Sequence, residues 1–297
     1  MAEFTLAGLR VLREVATSGS FTAAGRALGY TQSAISRQIA ALESVAGAPL
    51  CTRTNRGIAL TETGLLLDRH GAAVLARLAA AERELEAHSL GRTLRVRLGA
   101  FPTAMAALVP RALARLPAGL TVSLREGTTS AQLRRLVAGQ LDLAVVGASA
   151  DRVADEYPEL VAEWLLDDPL LLAVGRSHPL ANVASVASDA LEAERWVVGS
   201  VAASDGLLGA WEAADWAPRV AYTARDWTTK LGLVAEGLGV TIVPGLAVSA
   251  IPSAIALVRI ADPLASRPVS VARPATATTT SPAQSLVTVL TQLARRF

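Results

Sequence analysis

The chain has 297 residues, long enough for two domains, and its 52% hydrophobic content supplies real cores and excludes bulk disorder. A formal net charge of +2 excludes a polycation, so positive charge has to be read locally. The single cysteine excludes an intramolecular disulfide and a cysteine-built zinc site, and His70, His88 and His178 are not at metal-ligand spacing.

The start, Met1-Ala-Glu-Phe-Thr-Leu, lacks the basic opening and apolar core of a signal peptide. No apolar run reaches membrane-spanning length without a charge or a proline. The expectation is a cytoplasmic protein with no membrane contact. Thr5 to about Thr17 is predicted as a first helix, with Leu6, Leu9, Leu12 and Val15 on its buried face. The stretch from Ser20 to Leu42 then reads as two short helices joined at Gly29-Tyr30. Thr31 stands at the N-cap of the second. Gln32, Ser33, Ser36 and Arg37 follow on its early turns. Those are base-edge and phosphate chemistries at the end of a helix that a helix-turn-helix places in the major groove. Ile35, Ile39 and Leu42 recur at helical spacing on the other side and anchor the helix.

Arg53 to Leu60 is predicted as a β-hairpin turning at Asn55-Arg56-Gly57. A hairpin after a helix-turn-helix is a wing, and Arg53 and Arg56 would reach phosphates or the minor groove. From Arg26 to Arg56 four arginines (Arg26, Arg37, Arg53, Arg56) face one acid, Glu43. That excess supplies the sequence-independent part of DNA affinity. Glu43 itself would repel phosphate, so it is expected to cap or pair inward. Thr63 to about Ser89 is a long helix without proline, with a seam through Leu67, Gly71, Val74, Leu78, Ala81, Leu85 and His88. Leu67, Val74, Leu78 and Leu85 are the expected dimer contacts.

After Gly91-Arg92 strands and helices alternate. Strands are predicted at Leu94–Leu98, Val122–Arg125, Leu143–Val146, Leu170–Val174, Trp196–Val198, Ala221–Thr223, Thr241–Val243 and Val269–Ala272. Helices are predicted at Met105–Leu116, at Ala131–Ala138 with Ser130 as cap, at Leu207–Ala214, at Trp227–Gly237, and from Ser281-Pro282 to about Arg295. This alternation implies a parallel sheet covered on both faces. Lysine is represented by Lys230 alone, a bias in keeping with genome composition.

Residues 1–90 resemble the DNA-binding half of LysR-type transcriptional regulators. The matching positions are Ser20-Phe21-Thr22, Ala24, Leu28, Thr31-Gln32, Ser36, Leu42-Glu43, Gly47, Leu50, Arg53, Leu60-Thr61 and Gly64. Looser matches follow in order: Gln140-Leu-Asp-Leu-Ala, His178-Pro-Leu-Ala, and Glu236-Gly-Leu-Gly-Val with Pro244. The resemblance implies an α/β protein with a winged helix-turn-helix (1–62), a linker dimerisation helix (63–90), and a periplasmic-binding-protein-like effector domain (91–297). The last would divide into subdomain I, about 91–165 and 267–297, and subdomain II, about 166–266. It further implies a homodimer or homotetramer on an inverted repeat in double-stranded DNA, a small-molecule effector (a carboxylate or an aromatic), and contact with RNA polymerase if the protein is an activator. No cofactor, metal or catalytic residue is expected. Three positions depart from the family: Ser33 stands for proline, Cys51 for phenylalanine, and Gly25 for alanine, the last expected to weaken its helix by up to ~1 kcal/mol.

Ligands of α/β sheets bind beyond the carboxyl ends of strands, where helix N-termini offer free N–H groups. By that rule the effector candidates are Thr103, Thr128, Thr129 and Gly147 from the first subdomain and Gly199, Ser200 and Val201 from the second. Trp227, after Asp226, lies either near the hinge or in a core. Two rival classes are an enzyme and a solute-binding protein. No nucleophile elbow, P-loop or dinucleotide fingerprint supports the first. The helix-turn-helix opposes the second.

Overall fold

Three short helices begin on a hydroxyl and end on a glycine. In the computed structural model, which describes residues 3–54, 57–89, 94–117, 119–199, 219–277 and 282–295, α1 is Leu6–Ser18, α2 Phe21–Leu28 and α3 Gln32–Ala46. The hydroxyls of Thr5, Ser20 and Thr31 accept from Gly8, Ala23 and Ala34 N–H at 3.0, 3.4 and 3.2 Å. Each satisfies a donor that a helix start leaves unpaired. Gly29 closes α2 at φ 72°, a left-handed conformation that turns the chain into α3. Val11, Leu12 and Val15 of α1, Ala24 of α2, Ile35, Ile39 and Leu42 of α3, and Leu50 form one core.

Gly25 departs from its expectation as a weak point of α2. A Cβ at Gly25 would lie 2.7 Å from the Tyr30 carbonyl oxygen. The Gly25 carbonyl in turn accepts from Tyr30 N–H at 2.8 Å. The missing side chain is what lets the turn fold back onto α2, a tertiary demand that overrides helix propensity.

Glu43 points inward. Its Oε1 accepts from the N–H groups of Leu50 and Cys51 at 2.8 and 3.3 Å. Those bonds hold the root of the hairpin formed by β1 (Cys51–Thr54) and β2 (Gly57–Leu60), paired from Cys51↔Leu60 to Thr54↔Gly57. Cys51 packs half-buried beneath it, and burial with the Glu43 charge pushes its thiol up to about 11. A group so far from thiolate is a packing residue.

The long helix α4 (Glu62–Ser89) lies along α1, with Gly71 against Leu9 and Arg13 3.7 Å from Asp68. Of the seam expected to meet a partner, Leu67 packs on the core just described, Leu78 is half-buried, and Val74 and Leu85 are exposed. Leu65 and Leu66 are exposed as well.

The chain divides into two compact units, Met1–Leu94 with Arg134–Asp142, and Arg95–Leu133 with Leu143–Phe297. Its second half runs β3 (Leu94–Ala100), α5 (Pro102–Leu113), β4 (Leu120–Glu126), α6 (Thr129–Val137), β5 (Leu143–Val146), α7 (Ala150–Glu156) and β6 (Leu160–Gly175). Then come β7 (Ser185–Val186), β8 (Arg195–Val198), β9 (Arg219–Thr223), α8 (Trp227–Ala235), β10 (Thr241–Pro244), β11 (Ile255–Ile260), β12 (Ser266–Pro274) and α9 (Pro282–Ala294). Strand order is β4-β3-β5-β12-β6-β11-β7, with β10 also on β6.

The sheet is mixed, which corrects the expectation of a parallel one. β3 runs parallel to β5, but β12 is antiparallel to β5 and β6, and β10 and β11 are antiparallel to β6. Strand β6 runs from one core into another, and β12 pairs with it over residues 160–169. Leu165 and Leu166 of β6 join Leu98, Leu143, Val145, Val269 and Leu286, while Leu170, Leu172 and Val174 join Trp196, Ile242 and Val258. Sequence pattern misses the first half of β6 because Asp167-Asp168-Pro169 interrupts the apolar run. A second correction concerns α6, whose cap is Thr128: its hydroxyl accepts from Ala131 N–H at 3.3 Å, and Ser130 lies inside the helix. The expected helix at 207–214 and Ser281 lie outside the described residues.

Gly25→Ala should destabilise the protein by about 1–3 kcal/mol, the range for overpacking against a fixed neighbour. Urea unfolding of the full chain measures it, and a gain in stability would show that the Tyr30 carbonyl yields at no cost.

Candidate functional site

Two groups of side chains stand out, one in each unit. In the first, Thr31, Gln32, Ser33, Ser36 and Arg37 are all exposed at the N-cap and early turns of α3, while Ile35 and Ile39 of the same helix are buried. Thr31 and Ser33 share a hydroxyl hydrogen bond at 3.0 Å. No acid occupies the first turn of α3, and Glu43 is turned away, so nothing on this face opposes an anion. Arg53 is exposed on β1 of the hairpin, and Arg56 lies outside the described residues. The face offers amide, hydroxyl and guanidinium groups beside the positive end of a helix dipole.

In the second unit the carboxyl ends of β3 and β5 lie side by side, Ala100 opposite Val145. This brings Phe101, Thr103 and Gly147 together, and the start of α6 adds Thr129. Gly147 N–H donates to Thr129 Oγ1 at 2.9 Å. Thr103, only 7% exposed, accepts from Arg267 Nη2 at 2.6 Å. The Arg267 guanidinium lies 4.3 Å from the centre of the Phe101 ring. A Cβ at Gly147 would find Thr129 Oγ1, Arg267 Cδ and Phe101 Cε1 at 3.5, 3.8 and 4.0 Å, so these groups surround one spot. Thr103 and Thr129 each accept one internal bond and retain an O–H to donate. The arrangement suits a ligand rich in acceptors. Thr128 is exposed and serves as the α6 cap. Gly199 follows β8, with no neighbour among the described residues within 4 Å of where a side chain would be, and Ser200 and Val201 lie outside the described residues.

Arg267 is anchored by Asp168, a residue that sequence reasoning missed along with Arg267 itself. Arg267 Nε and Nη2 donate to Asp168 Oδ2 at 3.1 and 2.8 Å, and Leu246 N–H donates to Oδ1 at 2.9 Å. Burial pulls the guanidinium below its usual value, while the charge and hydrogen bonds of Asp168 hold it up. An acid and a proline inside an apolar run were the signal that could have found this pair. Among the described residues no three His, Cys, Asp or Glu groups are placed to hold a metal, and no helix is long and apolar enough to cross a membrane.

Arg267→Met should cost about 3–5 kcal/mol, because it strands a buried carboxylate. Adding Asp168→Asn to it should recover much of that loss in urea unfolding. A single variant as stable as the wild type would show that Asp168 has other support.

The two halves each match a known family. Residues 6–65 match the lysR family of bacterial regulatory helix-turn-helix proteins, and residues 89–295 match the LysR substrate binding domain. A probable RuBisCO transcriptional regulator from Cyanophora paradoxa is 34% identical over 69% of this chain and 67% of its own. A probable hydrogen peroxide-inducible genes activator from Mycobacterium avium is 32% identical over 82% of this chain and 79% of its own. Among solved structures, a full-length OxyR variant from Pseudomonas aeruginosa superposes with a TM-score of 0.64 at 21% identity, covering 99% of this chain and 98% of that one, a likeness of fold. With a hydrogen-bonding, cationic helix in the first unit and a hydroxyl-lined site in the second, the chain belongs to the LysR family of DNA-binding transcriptional regulators that carry an effector-binding domain.

Proposed function

We propose that α3 reads base edges in the major groove through Thr31, Gln32, Ser33, Ser36 and Arg37, while Arg53 and Arg56 of the wing contact phosphate. The observation that carries this reading is the exposure of all five groups at the start of α3, a helix anchored by buried Ile35 and Ile39. Residues 1–62 bind DNA, 63–90 join two copies, and 91–297 sense a small molecule. The exposed Val74 and Leu85 of α4 support the pairing of two copies. Two recognition helices then meet successive major grooves of an inverted repeat. Leu67, already packed on its own domain, and Leu78 would steady the helix from within.

The effector lies beyond the carboxyl ends of the strands, near Thr103, Thr128, Thr129 and Gly147 on one side and Gly199, Ser200 and Val201 on the other. Hydroxyls with a free O–H favour a small carboxylate or an acceptor-bearing aromatic. The ligand binds the two arrangements of the effector subdomains unequally, and by linkage that changes the grip on DNA. The reading includes no catalysis and places the protein in the cytoplasm, where its promoter DNA and RNA polymerase are. The relatives, named as regulators, support this.

Gel shifts on the intergenic DNA beside the gene test the assignment. Gln32→Ala should relax base preference by about 1–3 kcal/mol at the positions it reads. Arg37→Ala should weaken specific and random duplex alike and lower the salt slope by about one. Equal losses on both DNAs for Gln32→Ala would show that Gln32 reads no base.

A further inference from the structure

Lys230 is the only lysine in the chain, and it is buried, with 7% of its surface exposed. It stands on the first turn of α8, and its Nζ lies 3.9 Å from the centre of the Trp227 ring. Among the described residues no carboxylate pairs with it. The charged groups on the elements around it are engaged elsewhere. Arg195 of β8 donates to the Tyr222 hydroxyl, and Asp168 of β6 holds Arg267. Glu163 of β6 pairs with Arg273, and Asp167 accepts from Trp164 Nε1. Arg259 of β11 is exposed. On α8 itself Asp226 caps the helix by accepting from Thr229, and Glu236 is exposed at its end. Burial alone accordingly pulls the ammonium from 10.5 to about 8.

A cation held out of water without a counter-charge is costly, and an apolar side chain of the same size would fill the position better. The place of Lys230 suggests what offsets the cost. Val198 of β8 pairs with Thr223 of β9 in parallel, so α8 starts from the same carboxyl edge as Gly199. At that edge no atom of the described residues lies within 4 Å of a Cβ built on Gly199, and the first turn of α8 adds its own positive end. The aromatic ring stabilises the ammonium from one side only.

We propose that Lys230 is the charge partner of the effector, and that the effector is an organic acid presenting a carboxylate at the β8–β9 edge. The proposal rests on the effector reading above and narrows it to acids, with Lys230 as the residue that discriminates them from neutral analogues. Above about pH 8 the arriving carboxylate draws a proton back onto the amine, so binding takes up protons there.

The single lysine makes the test direct. The full chain is labelled with ¹³C at the lysine ε carbon, so one side-chain resonance reports Lys230. Acetate, benzoate and succinate are added at millimolar concentration, each beside its neutral amide. At least one acid should raise the Lys230 titration midpoint by about one unit, tenfold in proton affinity, and raise Tm while its amide does neither. Lys230→Met should fold with a higher Tm than the wild type without ligand, since the uncompensated charge is gone, and should lose the response to the acid. Lys230→Arg should keep part of it. The proposal is overturned if no acid moves the resonance, if amides act as well as acids, or if Lys230→Met responds like the wild type. DNA footprints separate the two readings. A compound that alters the footprint without touching the resonance leaves the effector reading standing and removes Lys230 from it. An acid that moves the resonance and leaves every footprint unchanged makes Lys230 an anion site and ends its effector role.

Discussion

A carboxylate as buried as Asp168, 1% exposed, is stable only where its charge is met on every side. Here Arg267 meets one oxygen with two N–H donors and the Leu246 backbone meets the other. The pair joins β6, the strand that runs between the cores, to β12, since Asp168 lies on β6 and Arg267 opposite it on β12. Through Thr103 it also reaches the start of α5, and through Leu246 the turn at 245–250. Strand pairing, helix placement and the hydroxyl-lined spot are therefore one electrostatic arrangement. A change in any of its groups is felt in all of them.

The DNA-binding unit handles charge by the opposite route, clearing it from a surface. Glu43 is the one acid in a stretch of arginines, and it is spent on two backbone donors at the root of the wing. The same bonds that fix the hairpin keep negative charge off the face of α3. Structure and electrostatics are served by one residue, so neither a shorter nor a neutral side chain is equivalent there. Cys51 is held as a thiol by its burial first and by the charge of this carboxylate second.

Lys230 stands apart from both cases. Asp168 and Glu43 are compensated by groups within the chain, whereas Lys230 has, among the described residues, the face of Trp227 and no carboxylate. Functional sites are where such local inconsistencies are tolerated, because the missing partner arrives with the ligand. Stability given up at α8 becomes binding energy available to an acid.

The sequence by itself determined the helices of the DNA-binding unit nearly to the residue. Their signals are local: a hydroxyl three residues before the N–H it accepts, a glycine at each end, and leucines and isoleucines at helical spacing. Strand β5 and the presence of the hairpin and of α6 were legible for the same reason, but the hairpin begins two residues before the expected Arg53, and α5 three before the expected Met105, where Pro102 opens the helix. Gly25 was misjudged because its value depends on the Tyr30 carbonyl folding back over it, which propensity does not register. The antiparallel pairing of β6 and β12 was illegible, since strand direction is set by partners far away in the chain. Asp168 and Arg267 are 99 residues apart, and Thr103 and Arg267 are 164 apart. Neither spacing leaves a periodic trace. Only the tertiary structure decided which charges were buried, and with that, which of them lacks a partner among the described residues.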